Sequence, residues 1–308
     1  MVKPPEGTWL RRRQRFQAMA SPCEVLLWST DAAAADAAIA AAIAEVRRIE
    51  QKYSRYRPDS ILSAINAAAG AAAVPIDAET AQLLRYAGEL WRLSAGAFDA
   101  TSGVLREVWD FRSGRLPEPA AVDAVRSRIG WSRVELGPDS VRLGCVGMQL
   151  DFGGFGKEYA CDRAAGVLAS RGVEHALINL GGDVRALAPQ ADGRPWRVAI
   201  QHPRSPDHAM ATIDLHAGGL ATSGDYQRCM DIDGRRYSHV LDPRSGWPIH
   251  PCARSVSVVA PLCLVAGSAA TCALLAGADG WRTLAGREWL WVGAAGEVRM
   301  AGERFVLR

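Results

Sequence analysis

Hydrophobic and polar positions follow two different periods along the first half of the chain. Residues 24–30 (EVLLWST) alternate, which predicts a β-strand, and Asp31 directly after them is a good helix N-cap. From Asp31 to about Tyr53, large apolar residues recur three and four positions apart, which predicts an amphipathic helix. These residues are Ile39, Ile43, Val46 and Ile49.

Local capping signals predict two further helices and a loop. Ser60 can cap a short helix within residues 54–66 (SRYRPDSILSAIN). A second helix is expected at Ala78–Ala95, because Gly96 follows it in the position that commonly ends a helix. The Pro- and Gly-containing stretch Ser113–Ala121 predicts a surface loop.

The second half is richer in strand patterns. Residues 141–154 (VRLGCVGMQLDFGG) predict a β-hairpin, and Lys157–Arg171 predicts a helix that ends at Gly172. Strands are expected within residues 175–187, 196–203, 236–243 and 253–261, a buried helix at Leu262–Leu275, and a hairpin within residues 289–302. Strands and helices mix without a regular βαβ rhythm, which favours an α+β fold.

Composition excludes some classes of protein but indicates no particular reaction. The chain has 308 residues, 49% of them hydrophobic and 22% charged, with a net charge of +3, as expected for an ordinary globular protein that does not bind nucleic acid. The basic cluster at residues 11–15 predicts a flexible, solvated N-terminal arm over residues 1–15, before a single domain at 16–308.

The sequence shows no secretion or membrane signal. No apolar core of a signal peptide and no span of about 20 apolar residues is visible. We therefore expect a soluble cytoplasmic protein without membrane insertion; a periplasmic location stays open if upstream residues are missing. The seven cysteines lack a C-x-x-C pair and zinc spacing, which predicts buried free thiols.

The densest chemical signal is Leu150–Asp162 (LDFGGFGKEYACD). A strand ends at Asp151, glycines follow, and the next helix carries Lys157 in its first turn. Glycines allow a ligand close to the backbone, and a helix N-terminus with a nearby cation attracts phosphate. The segment predicts a phosphate or nucleotide cradle, although an ordinary glycine turn with a surface lysine would have the same pattern.

Two other small-residue turns, Leu180–Asp183 (LGGD) and Ala221–Tyr226 (ATSGDY), are compatible with ligand contact or with plain turns. His239 is the best candidate for a general base, because imidazole exchanges protons near neutral pH. The Asp242 carboxylate, close in sequence, is the candidate that would raise its basicity. A structural histidine is the alternative.

Taken in order, these segments resemble the ApbE-like FAD:protein FMN transferase family. The matching motifs are LDFGGFGKEYACDRA, INLGGDV, ATSGDY, YSHVLDPRSGWPI and SVSVVAP…AATCALL, preceded by AMASPCEV, YRPDSILSAIN and GAFDATSGVL. The resemblance runs from about Phe16 to Leu275. It implies a two-lobed, T-fold-related α+β structure around an FAD cleft.

The resemblance also implies an activity. Enzymes of this family split FAD with Mg²⁺, release AMP and link FMN to a Thr or Ser hydroxyl of an acceptor flavoprotein. The resemblance assigns FAD contacts to Met19, Tyr56, Ala97, Phe98, Asp99, Asp151, Lys157 and the backbone of Leu241. It assigns the metal to the Gly154 carbonyl and the Thr271 hydroxyl, and general-base catalysis to His239.

Two positions depart from the family pattern. The acid that usually precedes the metal-binding threonine by four residues is replaced by Gly267, and Glu158 stands where glycine usually follows the lysine. Either Asp99, Asp183 or Asp225 substitutes for the missing acid, or metal binds weakly, or it binds only with FAD. On this basis Gly267→Asp should bind metal more tightly.

Glu158 would repel phosphate unless it faces solvent or joins the metal. Two alternatives to transfer therefore remain: an FAD pyrophosphatase, in which water replaces the acceptor, and an FAD-binding protein without catalysis.

Overall fold

The computed structural model describes residues 9–226, 229–249 and 253–308. The helices are α1 (Ala32–Tyr53), α2 (Ile61–Ala67), α3 (Ala78–Leu93), α4 (Pro119–Arg126), α5 (Gly156–Ser170) and α6 (Cys263–Leu275). The first eight strands are β1 (Leu10–Ala18), β2 (Ser21–Ser29), β3 (Val74–Pro75), β4 (Val134–Leu136), β5 (Ser140–Leu143), β6 (Ala176–Leu180), β7 (Asp183–Ala186) and β8 (Trp196–His202). The others are β9 (Ser205–Leu215), β10 (Gly218–Gly224), β11 (Cys229–Ile232), β12 (Arg235–Ser238), β13 (Ala253–Ala260), β14 (Glu288–Gly293), β15 (Val298–Ala301) and β16 (Phe305–Leu307).

An eight-stranded sheet organises the chain, in the order β1-β2-β6-β7-β10-β13-β14-β15. Its neighbouring strands pair antiparallel. One face carries the main hydrophobic cluster, which includes α1, α5 and the start of α6. A second cluster on the other face joins this sheet to the three-stranded sheet β16-β9-β8.

Side-chain alternation in the strands explains this layering. Val25 and Leu27 of β2 belong to the cluster beneath the helices, whereas Leu26 between them belongs to the opposite cluster. In β14, Leu290 lies in that opposite cluster and Trp291 packs with α6. Successive side chains of a strand point to opposite faces, so a sheet buried on both faces needs continuous apolar runs.

The helix predictions in the first half are confirmed. Asp31 caps α1 by accepting hydrogen bonds from two backbone N–H groups, and Ser60 caps α2 in the same way through one. Helix α3 ends at Leu93, and Gly96 nearby has φ +80°, a left-handed conformation that favours glycine.

The predicted hairpin over residues 141–154 is wrong. Strand β5 lies between β3 and β4 in a separate three-stranded sheet, so its partners are Val74–Pro75 and Val134–Leu136. The residues after it form no strand with it; Gln149 instead makes an isolated bridge with Ser102. Strand β5 therefore pairs with β3 and β4 rather than with the residues that directly follow it.

Two loop predictions need correction. The arm predicted at residues 1–15 is a regular strand from Leu10 onward, since β1 pairs along its whole length with β2. Arg13 and Arg15 both contact Glu24 on the partner strand, so alternate arginines form one face of β1. Residues 1–8 lie outside the described residues. The predicted loop Ser113–Ala121 gives way to helix α4 at Pro119, a residue favoured in the first turn.

The prediction of free thiols is confirmed for the described residues, but burial only for Cys23, Cys161 and Cys263, because the other three described cysteines are partly exposed. Cys23, Cys145, Cys161, Cys229, Cys263 and Cys272 are free thiols. Cys252 lies outside the described residues. Across the described ranges, no helix is both long and apolar enough to cross a bilayer.

A polar network ties three helices together. Glu79 at the start of α3 accepts hydrogen bonds from Arg48 (2.7 Å) and Lys52 (2.6 Å) of α1 and from the Tyr159 hydroxyl (2.8 Å) of α5. Burial alone would raise the pKa of Glu79, but these donors together hold it well below its usual range. The network therefore stabilises the ionised carboxylate in the folded protein.

We expect Glu79→Gln to lower the free energy of unfolding at pH 7 by about 1–2 kcal/mol, because hydrogen bonds to a charged group are lost. A carboxylate with a depressed folded-state pKa stabilises above its unfolded pKa, so the difference should shrink below about pH 4.5. Urea unfolding at pH 7 and pH 3 measures it. Glu89→Gln, which breaks an exposed pair with Arg92 on the same helix, is the control. Equal effects of the two variants at pH 7 would contradict the prediction.

Candidate functional site

The glycine-rich segment 151–156 forms a bend that leads into α5. The Gly153 N–H donates to Asp151 Oδ1 at 2.7 Å, and the buried rings of Phe152 and Phe155 anchor the bend in the core. No side chain caps the helix that follows. Its first backbone N–H groups therefore suit an external anion such as phosphate.

The turn Ala97–Asp99, assigned to the flavin, packs against this bend. A Cβ on Gly154 would lie 2.8 Å from the Phe98 ring, so glycine is required for the approach. Asp99 is buried, and its carboxylate accepts hydrogen bonds from two backbone N–H groups at 2.8 and 3.0 Å. Burial raises the pKa of Asp99, which these bonds partly offset. Its carboxylate thus holds the turn in place.

Arg55 is a site residue that the sequence interpretation missed. Its Nη1 donates to the Gly103 carbonyl at 2.6 Å and to Asp151 Oδ2 at 3.3 Å, so it fixes the start of the glycine bend. Neighbouring Tyr56 is 77% exposed, with the Arg55 guanidinium carbon 5.7 Å from its ring centroid. The segment RYRP at residues 55–58 contains two arginines, but the sequence does not show which of them binds Asp151.

Met19 lies in a constrained hairpin turn. Met19 and Ala20 form the two-residue loop between β1 and β2, with φ +51° and +54°. Such loops suit the twist of a hairpin, but left-handed φ is unfavourable for residues other than glycine. The Met19 N–H donates to Glu50 Oε1 at 2.6 Å, which ties the turn to α1.

Lys157 and Asp183 bring two of the predicted motifs together. Lys157 Nζ lies 2.6 Å from Asp183 Oδ2, whose side chain is only 4% exposed, and 3.4 Å from the Gly181 carbonyl. Burial lowers and the Asp183 charge raises the pKa of Lys157, and the net change is upward. An ion pair between the half-buried Lys157 and the buried Asp183 therefore joins the start of α5 to the first residue of β7 and keeps the lysine charged.

The third motif, Ala221–Tyr226, lies beside the Lys157–Asp183 ion pair. The Thr222 N–H lies 3.4 Å from Asp183 Oδ1, and the hydroxyls of Ser223 and Thr271 share a hydrogen bond of 2.7 Å. The predicted metal ligand Thr271 thus lies on the side of α6 that faces the end of β10.

His239 directly follows β12 and is half-buried. Leu241, two residues on, bridges to Pro248, and Asp242 accepts hydrogen bonds from the Arg244 guanidinium at 2.8 and 2.9 Å. Asp242 therefore stabilises the turn after His239. Its effect on the basicity of His239 stays a prediction.

Contacts connect the His239 loop to the glycine bend. Trp109 Nε1 donates to the Gly246 carbonyl at 2.8 Å, which fastens the loop to the 3-10 turn Gly103–Glu107. The Gly103 carbonyl in that turn accepts the hydrogen bond from Arg55, the partner of Asp151. The two predicted halves of the site are thus joined through one turn.

The acids expected to replace the missing carboxylate at position 267 are already engaged. Asp99 binds backbone N–H groups, and Asp183 binds Lys157. Asp225 accepts two hydrogen bonds of 2.7 Å from Arg204. Each of these three carboxylates thus already has a partner within the fold.

Glu158 differs from them. It is 7% exposed, and its Oε2 is buried without a hydrogen-bond partner among the described residues. Burial, followed by the charge of Asp183, raises the pKa of Glu158 well above its usual range. Such an oxygen suits a cation, and carboxylate, hydroxyl and carbonyl oxygens, the groups of Glu158 and of the predicted ligands Thr271 and Gly154, are of the hard type that Mg²⁺ prefers. In the described ranges, no group of three His, Cys, Asp or Glu side chains is placed to hold a metal.

Two known proteins that are similar in sequence to this chain have the same name. "FAD:protein FMN transferase" of Salmonella typhimurium is 32% identical over 239 residues, 75% of this chain and 65% of that protein. The protein of the same name from Treponema pallidum is 32% identical over 282 residues, 82% of this chain and 78% of that protein. This chain therefore spans slightly less than two thirds of the Salmonella protein.

Solved structures agree and confirm the predicted α+β fold. The ApbE protein of Thermotoga maritima superposes with a TM-score of 0.87 at 28% identity, covering 95% of this chain and 97% of that one. The apo flavinyl transferase ApbE of Pseudomonas stutzeri gives a TM-score of 0.83 at 29% identity, covering 97% and 94%. The family model described as "ApbE family" matches residues 19–291, and the chain therefore belongs to the ApbE family.

Proposed function

We propose that this protein transfers the FMN half of FAD to a Thr or Ser hydroxyl of an acceptor protein and releases AMP. Relatives of the chain are named FAD:protein FMN transferase, which supports transfer of FMN from FAD to a protein. The observation that carries the proposal is the buried Lys157–Asp183 pair, which sets a permanent cation beside the uncapped start of α5. That place suits the diphosphate of FAD.

The reaction balances as a phosphoryl transfer. The acceptor oxygen forms a bond to the FMN phosphorus, the P–O bond to the AMP phosphate breaks, and AMP leaves with the electron pair. His239 takes the proton of the acceptor hydroxyl, which is a poor nucleophile until it is deprotonated. Lys157 balances negative charge on the phosphoryl oxygens.

The remaining residues bind and orient the dinucleotide. Asp151, held by Arg55, and the Phe98 ring lie at the glycine bend, and Tyr56 offers an exposed ring. Thr271 and the Gly154 carbonyl would hold Mg²⁺. When bound, the ion would neutralise charge on the diphosphate.

The first prediction is covalent transfer itself. Purified protein, FAD and Mg²⁺, mixed with a fragment of a redox subunit that contains a flavin-accepting threonine, should give a fluorescent FMN adduct and one AMP per adduct. The same fragment with that threonine changed to alanine is the control. Release of FMN and AMP without an adduct would indicate a pyrophosphatase. FAD binding with neither product would indicate a carrier.

The second prediction concerns His239. We expect His239→Asn to bind FAD normally but to transfer FMN about 100-fold more slowly, the usual scale for loss of a general base. Rates of adduct formation and FAD titrations measure the two effects separately. The exposed His216→Asn is the control and should match the wild type. A transfer rate for His239→Asn near the wild-type rate would remove the assigned role.

The third prediction distinguishes a role of the Lys157–Asp183 ion pair in FAD binding from a role in folding alone. Lys157→Met removes the cation and should weaken FAD binding about 10- to 100-fold, the scale of a charge-assisted contact. Asp183→Asn keeps the cation and should weaken FAD binding much less. Flavin fluorescence titration compares the variants, and thermal unfolding checks that both fold. Equal losses of affinity would show that the pair serves only the fold.

A further inference from the structure

The Glu158 side chain on α5 fills the space that a side chain at position 267 on α6 would need. A Cβ built on Gly267 of α6 would lie 2.5 Å from Glu158 Oε1 and 2.6 Å from Glu158 Cγ. Real Cβ atoms do not approach heavy atoms this closely, so any side chain at position 267 would displace Glu158. The two side chains exclude each other.

Glycine at this position has no backbone explanation. Gly267 lies inside α6 without a left-handed φ, where glycine costs about 1 kcal/mol relative to alanine. The benefit is the room that it leaves for the Glu158 side chain. Because glycine destabilises α6 here and its effect is to make room for Glu158, we infer that the Glu158 carboxyl group has a role of its own.

A purely structural role does not account for that carboxylate. Glu158 is 7% exposed and its Oε2 has no hydrogen-bond partner in the described part of the chain. A buried carboxyl group without a partner for one of its oxygens is unfavourable in either protonation state, and a methionine would fill a similar volume without this cost. An orphan oxygen of this kind requires a ligand that supplies positive charge.

The surroundings identify the class of ligand. Thr271 follows Gly267 by one helical turn, so the Thr271 hydroxyl and the Glu158 carboxylate lie along the same side of α6. The only cation beside them that the described residues show is Lys157, which is already paired with Asp183 at 2.6 Å. Carboxylate and hydroxyl oxygens together suit a hard divalent cation.

We infer that Glu158 supplies, from α5, the metal-binding carboxylate that the family pattern places at position 267 on α6. Gly267 is the gap that admits it, so the two departures from the pattern form one compensating exchange. This inference rests on the proposed Mg²⁺-dependent function. It also predicts a different outcome for Gly267→Asp than the family pattern alone does, because that side chain would collide with Glu158.

Metal binding tests the inference without using transfer activity. The probe is Mn²⁺ alone, followed by the electron paramagnetic resonance signal of the free ion. Glu158→Gln preserves the volume and should weaken Mn²⁺ binding at least about 10-fold, the scale for losing a ligand or its support. Without metal, its Tm should stay close to that of the wild type, because the substitution preserves the volume of the side chain. Exposed Glu174→Gln is the control and should change neither quantity.

The reciprocal exchange is the decisive comparison. Gly267→Asp alone should lower the Tm and bind Mn²⁺ no more tightly than the wild type. The double variant Glu158→Gly/Gly267→Asp should bind Mn²⁺ at least about 10-fold more tightly than Glu158→Gly alone, because the carboxylate returns from the other helix. Binding by the double variant no tighter than by Glu158→Gly would overturn the exchange.

These results separate the inference from the proposed function. Wild-type affinity for Mn²⁺ in Glu158→Gln, in a protein that transfers FMN, would overturn this inference alone. Mn²⁺ bound through Glu158 in a wild-type protein that forms no adduct with an acceptor would support the inference and overturn the transferase proposal. A wild-type protein that binds no Mn²⁺ would overturn the inference.

Discussion

The ion pair between Lys157 and Asp183 holds the site together, because it joins the start of α5 to the turn between β6 and β7 inside the protein. A lysine in that position without a partner would favour its neutral form, and an aspartate alone would favour protonation. The charge of Asp183 raises the pKa of Lys157, and the charge of Lys157 offsets part of the rise that burial causes in the pKa of Asp183. Burial and the charge of Asp183 raise the pKa of the neighbouring Glu158, so a cation bound beside it would stabilise its ionised form.

Local signals in the sequence predicted the parts of the fold that depend on neighbouring residues. Asp31 and Ser60 cap their helices through side-chain bonds to the next turn, and the apolar period of α1 follows from packing against one sheet. Pairing between distant strands was not predictable in this way. Strand β5 pairs with β3 and β4, and the arginines of β1 gain order only from β2.

The same division applies to the site. The glycine bend, Lys157 and the LGGD turn were recognisable as separate motifs, and the family resemblance gave them an order. No sequence rule showed that Asp183 would pair with Lys157, or that Arg55 rather than Arg57 turns toward Asp151. These contacts join residues far apart in the chain, so their geometry exists only after the sheet and helices have assembled.

Glu158 and Gly267 show why a site is better compared in space than position by position. Along the chain, one change removes an acid and the other adds an acid beside a phosphate cradle, so each considered alone predicts a damaged site. In the structure the added side chain fills the volume that the removed one vacated. What a bound cation senses is the charge at a point, whichever helix carries it. The exchange that we propose therefore leaves the charge at that point unchanged, so the two departures offset each other.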